Sequence, residues 1–315
     1  MKSHFIDVGG PTHYQEMEGD GPPLVLVHGI GASDLSWQPV VELFAENHRV
    51  LVLDLAGFGF TPPHGRKTTV QHNALLLIDF VGLLCDGPVT LIGNSMGGLV
   101  SMLAAVKQPP VADRLVLVNP ALPVISLRSL SRDSQRLLLP LLPILGNPAA
   151  RYYYHERTPE EEVDDTLALV LSDGAAVDPL YRAAAIEMAR ARREMEWAVP
   201  SFTDAARSIA VELASPRRFR KLLHQVSQPT FLIHGTADRV VPPASAEWAA
   251  RERPDWDYMM IRGMGHTPQI EEPERFVALV EEWLRAPAIT IAGLRFAGPM
   301  RIVFRRVGSG SRHRR

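Results

Sequence analysis

Cysteine is nearly absent from the chain: Cys85 is the single one in 315 residues. That excludes an internal disulfide framework and any multi-cysteine metal site, and it reads as a packed thiol. Net charge is lacking as well. Lys and Arg number 33 against 35 Asp and Glu. The basic excess of a nucleic-acid binder is missing, so no nucleic-acid partner is expected. Long apolar runs are missing too. The stretches 137–145 (LLLPLLPIL) and 74–85 (ALLLIDFVGLLC) are interrupted by Pro140 and Pro143 and by Asp79. Both fall short of the roughly 18–20 residues of a spanning helix. The opening MKSHFIDVGGPTHY holds no apolar segment of the kind a signal peptide needs. These absences predict a cytoplasmic protein without an integral membrane segment. Hydrophobic residues at 46% beside 22% charged supply a large globular core.

Short β-branched and Leu-rich runs recur along the chain: 24–27 (LVLV), 49–53 (RVLVL), 89–92 (VTLI), 114–118 (RLVLV), 230–233 (TFLI) and, more weakly, 257–261 (DYMMI). Their continuous apolar character suits strands buried on both faces. Helical patterns such as 96–107 and 273–285 alternate with them. The alternation predicts an α/β fold, a mostly parallel central sheet flanked by helices. Residues 4–8 and 13–18 suit an antiparallel edge hairpin. Between 120 and 226 no strand pattern appears, and helical patterning at 160–171, 178–197 and 202–213 predicts a helical insertion. The chain thus divides into a first core part (1–119), a helical cap (120–226), a second core part (227–288) and an extension (289–315). The Gly/Ser/Arg-rich end of that extension, 305–315, reads as a solvated tail.

The strongest local signal is GNSMG at 93–97, a G-x-S-x-G string after a strand and before a helix. A sharp strand-to-helix turn there would project the Ser95 hydroxyl above the sheet. It would also place the Met96 N–H at a helix amino terminus, where it can donate to a developing oxyanion. A serine hydroxyl needs a base, and the base an orienting acid. In this architecture the acid and then the histidine follow the serine in sequence. Asp238 lies just past TFLI and His266 just past DYMMI, 28 positions apart, which leaves room for one helix and one strand. His28 and His234 read as turn histidines bonded to backbone, and Asn119, past RLVLV, lacks a carboxylate. The second oxyanion donor is expected from LVLVHGIG (24–31), with the Ile30 N–H as candidate. Trp37, further along, is a candidate substrate-pocket wall.

Taken together, these residues resemble the α/β-hydrolase superfamily, in its branch with a helical cap, over about residues 20–285. HGIG is similar to its oxyanion loop, LDLAGFGFT (53–61) to its D-x-x-G-x-G-x-S/T segment and GNSMGG to its nucleophile elbow. GTADRVVP (235–242) is similar to its acid loop and GMGHTPQIEEPERF (263–276) to its histidine loop. The resemblance implies a triad of Ser95, His266 and Asp238, an oxyanion hole from the Ile30 and Met96 amides, and no cofactor or metal. The expected function is a serine hydrolase that cleaves carboxylic esters of small to medium apolar acyl chains through an acyl-enzyme, with a small-molecule ester as partner. Two alternatives stand beside it: a carbon–carbon bond hydrolase of the meta-cleavage type, and a ligand receptor that turns over slowly. GNSMGG is similar to the former family, but Thr267 occupies the place where that family usually has an aromatic. Arg190, Arg192 and Arg193 read as an exposed charge run.

Overall fold

The computed structural model describes residues 1–107, 111–124 and 156–285. The apolar stretch 137–145 and the whole extension from 289 onward therefore lie outside the described residues. Strands β1 (Lys2–Asp7), β2 (Pro11–Met17), β3 (Leu24–Val27), β4 (Val50–Leu53), β5 (Val89–Asn94), β6 (Ala112–Val118), β7 (Thr230–Gly235) and β8 (Asp257–Ile261) form one sheet in the order β1-β2-β4-β3-β5-β6-β7-β8. The β1–β2 hairpin is antiparallel and joins β4 antiparallel. All remaining pairs are parallel.

The continuous apolar runs are explained by two covered faces. Alternate side chains point to opposite sides of a strand. Val25, Val27, Leu51, Leu53, Leu91, Leu115, Leu117 and Leu232 fill the core beneath α2 (Val70–Leu84), α3 (Met96–Ala105) and α8 (Pro243–Glu252). Leu24, Leu26, Val50, Val52, Ile92, Val116, Phe231 and Ile233 fill the opposite core, beneath α1 (Gln38–Ala45) and α10 (Pro273–Arg285).

Between β6 and β7 the described residues are helical: α4 (Pro159–Val170), α5 (Pro179–Arg193), α6 (Ala198–Leu213) and α7 (Pro216–Gln225). Three of these four open on a capping side chain followed by proline. Thr158, Asp178 and Ser215 each accept a backbone N–H of the first turn, and Pro159, Pro179 and Pro216 occupy positions whose own N–H would go unbonded. No helix among the described residues is long and apolar enough to cross a membrane.

The edge hairpin is fastened to the sheet by a buried polar cluster. The Asp54 carboxylate, at the end of β4, pairs with His13 Nδ1 on β2 at 2.7 Å. It also accepts the Asp34 N–H at 2.7 Å and the Phe60 N–H at 2.9 Å. Burial lowers the His13 pKa, but the hydrogen bond and charge of Asp54 outweigh it and the net shift is upward from 6.5. Replacing Asp54 with Asn leaves the His13 charge buried without its counter-ion, and breaking such a pair costs about 3 kcal/mol or more. The sign follows from the raised pKa. The pair's contribution is complete below pH 6.5 and fades as pH rises through the elevated value. Denaturant unfolding of Asp54→Asn at pH 6 and pH 9 should show the larger deficit at pH 6; equal deficits would contradict the ion-pair account.

Candidate functional site

The chain passes from β3 to β4 on one side and then to β5 on the other, so the strand order reverses at the carboxyl ends of β3 and β5. Ser95 stands there, between β5 and α3, with φ 54° and ψ −118°. Such a backbone costs a non-glycine residue about 1–3 kcal/mol and persists only where its surroundings enforce it. The Ser95 N–H donates to Val118 O, and its carbonyl accepts the N–H groups of Gly98, Leu99 and Ala121. Gly97 makes the turn sterically possible. A Cβ there would stand 2.1 Å from the Val27 carbonyl oxygen, and a backbone oxygen has no rotamer by which to yield.

The acid and the histidine meet as expected. His266 Nδ1 lies 2.8 Å from Asp238 Oδ2, both side chains buried. Asp238 Oδ1 accepts the Val240 and Val241 N–H groups at 2.8 and 2.9 Å. Because the carboxylate accepts the Nδ1–H hydrogen bond, Nδ1 keeps its proton and Nε2 is left as the basic nitrogen of the neutral imidazole. Burial pushes the Asp238 carboxyl up. The charge and hydrogen bond of His266, with His234 and Asn119, more than offset this and hold it at about 2.

Two contributors were not legible in the sequence. Asn119, with φ 45° at the end of β6, donates from Nδ2 to Asp238 Oδ2 (2.7 Å) and to the Gly265 carbonyl (3.2 Å). Read as an acid position without a carboxylate, it is instead an amide that joins the acid and histidine loops. Asn94 donates from Nδ2 to the carbonyls of Val118 and His266, each at 3.0 Å. The residue before the serine is thus tied to the histidine itself. An asparagine next to the serine and another after a strand were visible signals, but their partners are distant in sequence. His234 has Nε2 3.0 Å from the Val241 carbonyl, the backbone partner expected of a turn histidine. It also lies 3.3 Å from Asp238 Oδ2.

The loop after β3 passes close beside the serine: a Cβ on Gly29 would lie 3.2 Å from that of Ser95. His28 orients this loop. Its Nε2 accepts the Leu55 N–H at 3.1 Å, so Nδ1 carries the proton and donates to the Gly29 carbonyl at 2.7 Å. The Gly29 carbonyl and the Ile30 N–H belong to one planar trans peptide. Holding the oxygen therefore fixes the opposite direction in which Ile30 N–H points. Burial lowers the His28 pKa and keeps the ring in this neutral form. Met96 N–H opens α3, where the first amides have no intrahelical acceptor.

Trp37 requires a correction. It is fully buried and packs against Phe276 in the core beneath α1 and α10, so it is no substrate-pocket wall. The 3-10 turn Asp34–Trp37 leads into α1 and carries the indole away from the cleft. A narrow cleft of about 10 Å³ is lined by Gly31, Gly57, Phe58, Met195, Trp197 and Phe202, with Gly59, Ala198 and Arg192. The arginines also differ from an exposed run. Arg190 pairs at the surface with Glu187 and Glu160, whereas Arg192 and Arg193 converge on the buried Glu162. Arg192 reaches the cleft, and its charge adds to the lowering at His28.

A mostly parallel sheet, a strained serine at the turn after β5 and a buried Asp–His pair on the loops after β7 and β8 define a hydrolase architecture. The chain belongs to the alpha/beta hydrolase fold family, whose model matches residues 22–273. It is a hydrolase, with relatives among both esterases and carbon–carbon bond hydrolases. It is 30% identical over 284 residues to the 2-hydroxy-6-oxo-6-(2'-aminophenyl)hexa-2,4-dienoic acid hydrolase of Metapseudomonas resinovorans, covering 86% of this chain and 87% of that one. It is also 30% identical over 273 residues to the pimeloyl-(acyl-carrier protein) methyl ester esterase of Aromatoleum aromaticum, covering 84% and 98%. Among solved structures it is similar to a serine hydrolase involved in carbazole degradation, the CarC enzyme, with a TM-score of 0.71 and 26% identity over 90% of this chain and 98% of that one.

Proposed function

We propose that the protein is a serine hydrolase that cleaves carboxylic esters through an acyl-enzyme. The observation that carries the reading is the 2.8 Å Asp238–His266 pair, with Asn119 joining its two loops and Asn94, next to Ser95, donating to the His266 carbonyl. In this reading Ser95 Oγ attacks the carbonyl carbon and His266 Nε2 takes its proton. Asp238 holds the imidazole and stabilises the imidazolium. The Ile30 and Met96 amides receive the oxyanion. The alcohol leaves with the proton from His266, and a water activated by the same nitrogen releases the acid. The helices α4 to α7 act as a cap over this site. Phe58, Met195, Trp197 and Phe202 supply an apolar seat for a small-molecule acyl group.

A second reading is favoured by Arg192, the cation of the cleft lining. It suits a substrate that joins an apolar body to a carboxylate, as in cleavage of a carbon–carbon bond beside a ketone in a dienoic acid. The relative from Metapseudomonas resinovorans is named for such an acid.

Hydrolysis of p-nitrophenyl esters from acetate to decanoate, beside a 2-hydroxy-6-oxodienoate, decides between them. Steady turnover of the esters with an optimum at short or medium chains supports the first reading. Turnover confined to the dienoate replaces it with the second. Release of no more than one equivalent of nitrophenol would instead describe a receptor that acylates and stops.

A further inference from the structure

The carboxyl end of α4 does not terminate in solvent. The His266 N–H donates to the Val170 carbonyl at 2.6 Å. The two backbones run so close that a Cβ on Gly265 would lie 2.6 Å from the same oxygen. Arg239, which follows Asp238, reaches the same helix end from the acid loop. Its guanidinium donates to the Leu171 carbonyl at 2.6 Å, to the Ala168 carbonyl and to Asp173 at 2.8 Å. Carbonyls in the last turn of a helix have no intrahelical partner. Here such groups are satisfied by the two loops that carry the Asp238–His266 pair, and a guanidinium at a helix carboxyl end is also favoured by the dipole.

One carboxylate joins the two sides. Glu271, on the short helix α9 (Pro268–Glu271), accepts the Gly265 N–H and the Ser172 N–H through Oε2, each at 3.0 Å. Its Oε1 accepts the Ser172 hydroxyl. We infer that Glu271 is a positioning residue for His266: it clamps residues 170–172 onto the histidine loop, and so sets the backbone from which the imidazole projects. The inference rests on the serine-hydrolase reading and deepens it. The helical insertion then locates the base as well as covering the site.

The test uses a fluorophosphonate probe, which phosphonylates an activated serine whatever bond the natural substrate contains. Displacement of the base should slow labelling of Glu271→Ala by about 10- to 100-fold, the scale of a misplacement of about 1 Å. Glu271→Gln should recover part of the rate, because its amide oxygen still accepts from Gly265. Ser172→Ala, which loses one bond, should fall between Glu271→Ala and wild type. Hydrogen exchange followed by mass spectrometry should show faster exchange in peptides containing His266 of Glu271→Ala, with β5 peptides unchanged. A folded Glu271→Ala that labels within about twofold of wild type overturns the inference. If that variant does not fold, Ser172→Ala labelling at the wild-type rate with unchanged exchange overturns it equally. An unreactive wild type would instead overturn the serine-hydrolase reading itself.

Discussion

Asp238→Asn should lower kcat by about 10⁴-fold, by analogy with the loss of the orienting carboxylate from a serine triad. The substitution keeps the shape and changes the protonation. Oδ2 now receives both His266 Nδ1 and Asn119 Nδ2, and Oδ1 receives two backbone N–H groups. All four partners are donors, so a carboxylate fits and an amide does not. With an NH₂ group turned to the ring, Nδ1 must accept, the proton moves to Nε2, and the base is lost. KM should change little, because Asp238 lies away from the cleft lining. Steady-state kinetics on the best ester measures this, and a loss below tenfold would contradict the role of the carboxylate.

The same substitution has a pH signature. A carboxyl held at about 2 in the folded protein, against an ordinary 3.8, favours folding above pH 3.8. That contribution is lost as pH falls toward 2. The shift corresponds to about 2 kcal/mol. The stability gap between wild type and Asp238→Asn should therefore narrow between pH 5 and pH 2.5 in denaturant titrations. A gap that stays constant would mean that the charge of Asp238 is not what its surroundings stabilise.

Ser95→Ala should lower kcat by about 10⁶-fold, leaving only what the oxyanion donors and binding provide. Ser95→Gly should be equally inactive but more stable than Ser95→Ala. Glycine adopts φ 54°, ψ −118° without the strain that alanine and serine share. The expected gain is about 1 kcal/mol or more, read from denaturant midpoints. If the glycine variant is no more stable, the turn at position 95 stores no strain. If the alanine variant keeps wild-type turnover, Ser95 is not the nucleophile.

Much of this was legible from local pattern. The runs LVLV, VTLI, RLVLV, TFLI and DYMMI became β3, β5, β6, β7 and β8, because strands buried on both faces must be apolar throughout. The hairpin at the amino end and the helices at 159–170 and 273–285 lie where hydrophobic spacing put them. Asp238 and His266 were recognisable because each follows such a run, and parallel strands deliver their carboxyl ends to one edge of the sheet. Other features were not legible. Trp37 was misread because sequence neighbourhood to the HGIG loop says nothing about the face on which a large ring lands. Arg192 was misread because a charge run does not reveal which of its members turns inward.

The sequence by itself determined the α/β alternation, the serine turn and the strand ends that carry Asp238 and His266, since these depend on spacings of a few residues and on backbone sterics. Only the tertiary structure decided that Asn119 bridges acid and histidine, that His28 aims the Ile30 amide, and that Glu271 ties the inserted helices to His266. Each of these depends on hydrogen bonds that close over a few ångströms between loops brought together by the sheet. Donors and acceptors of that kind occur throughout any chain, and nothing in their local sequence says which two will meet.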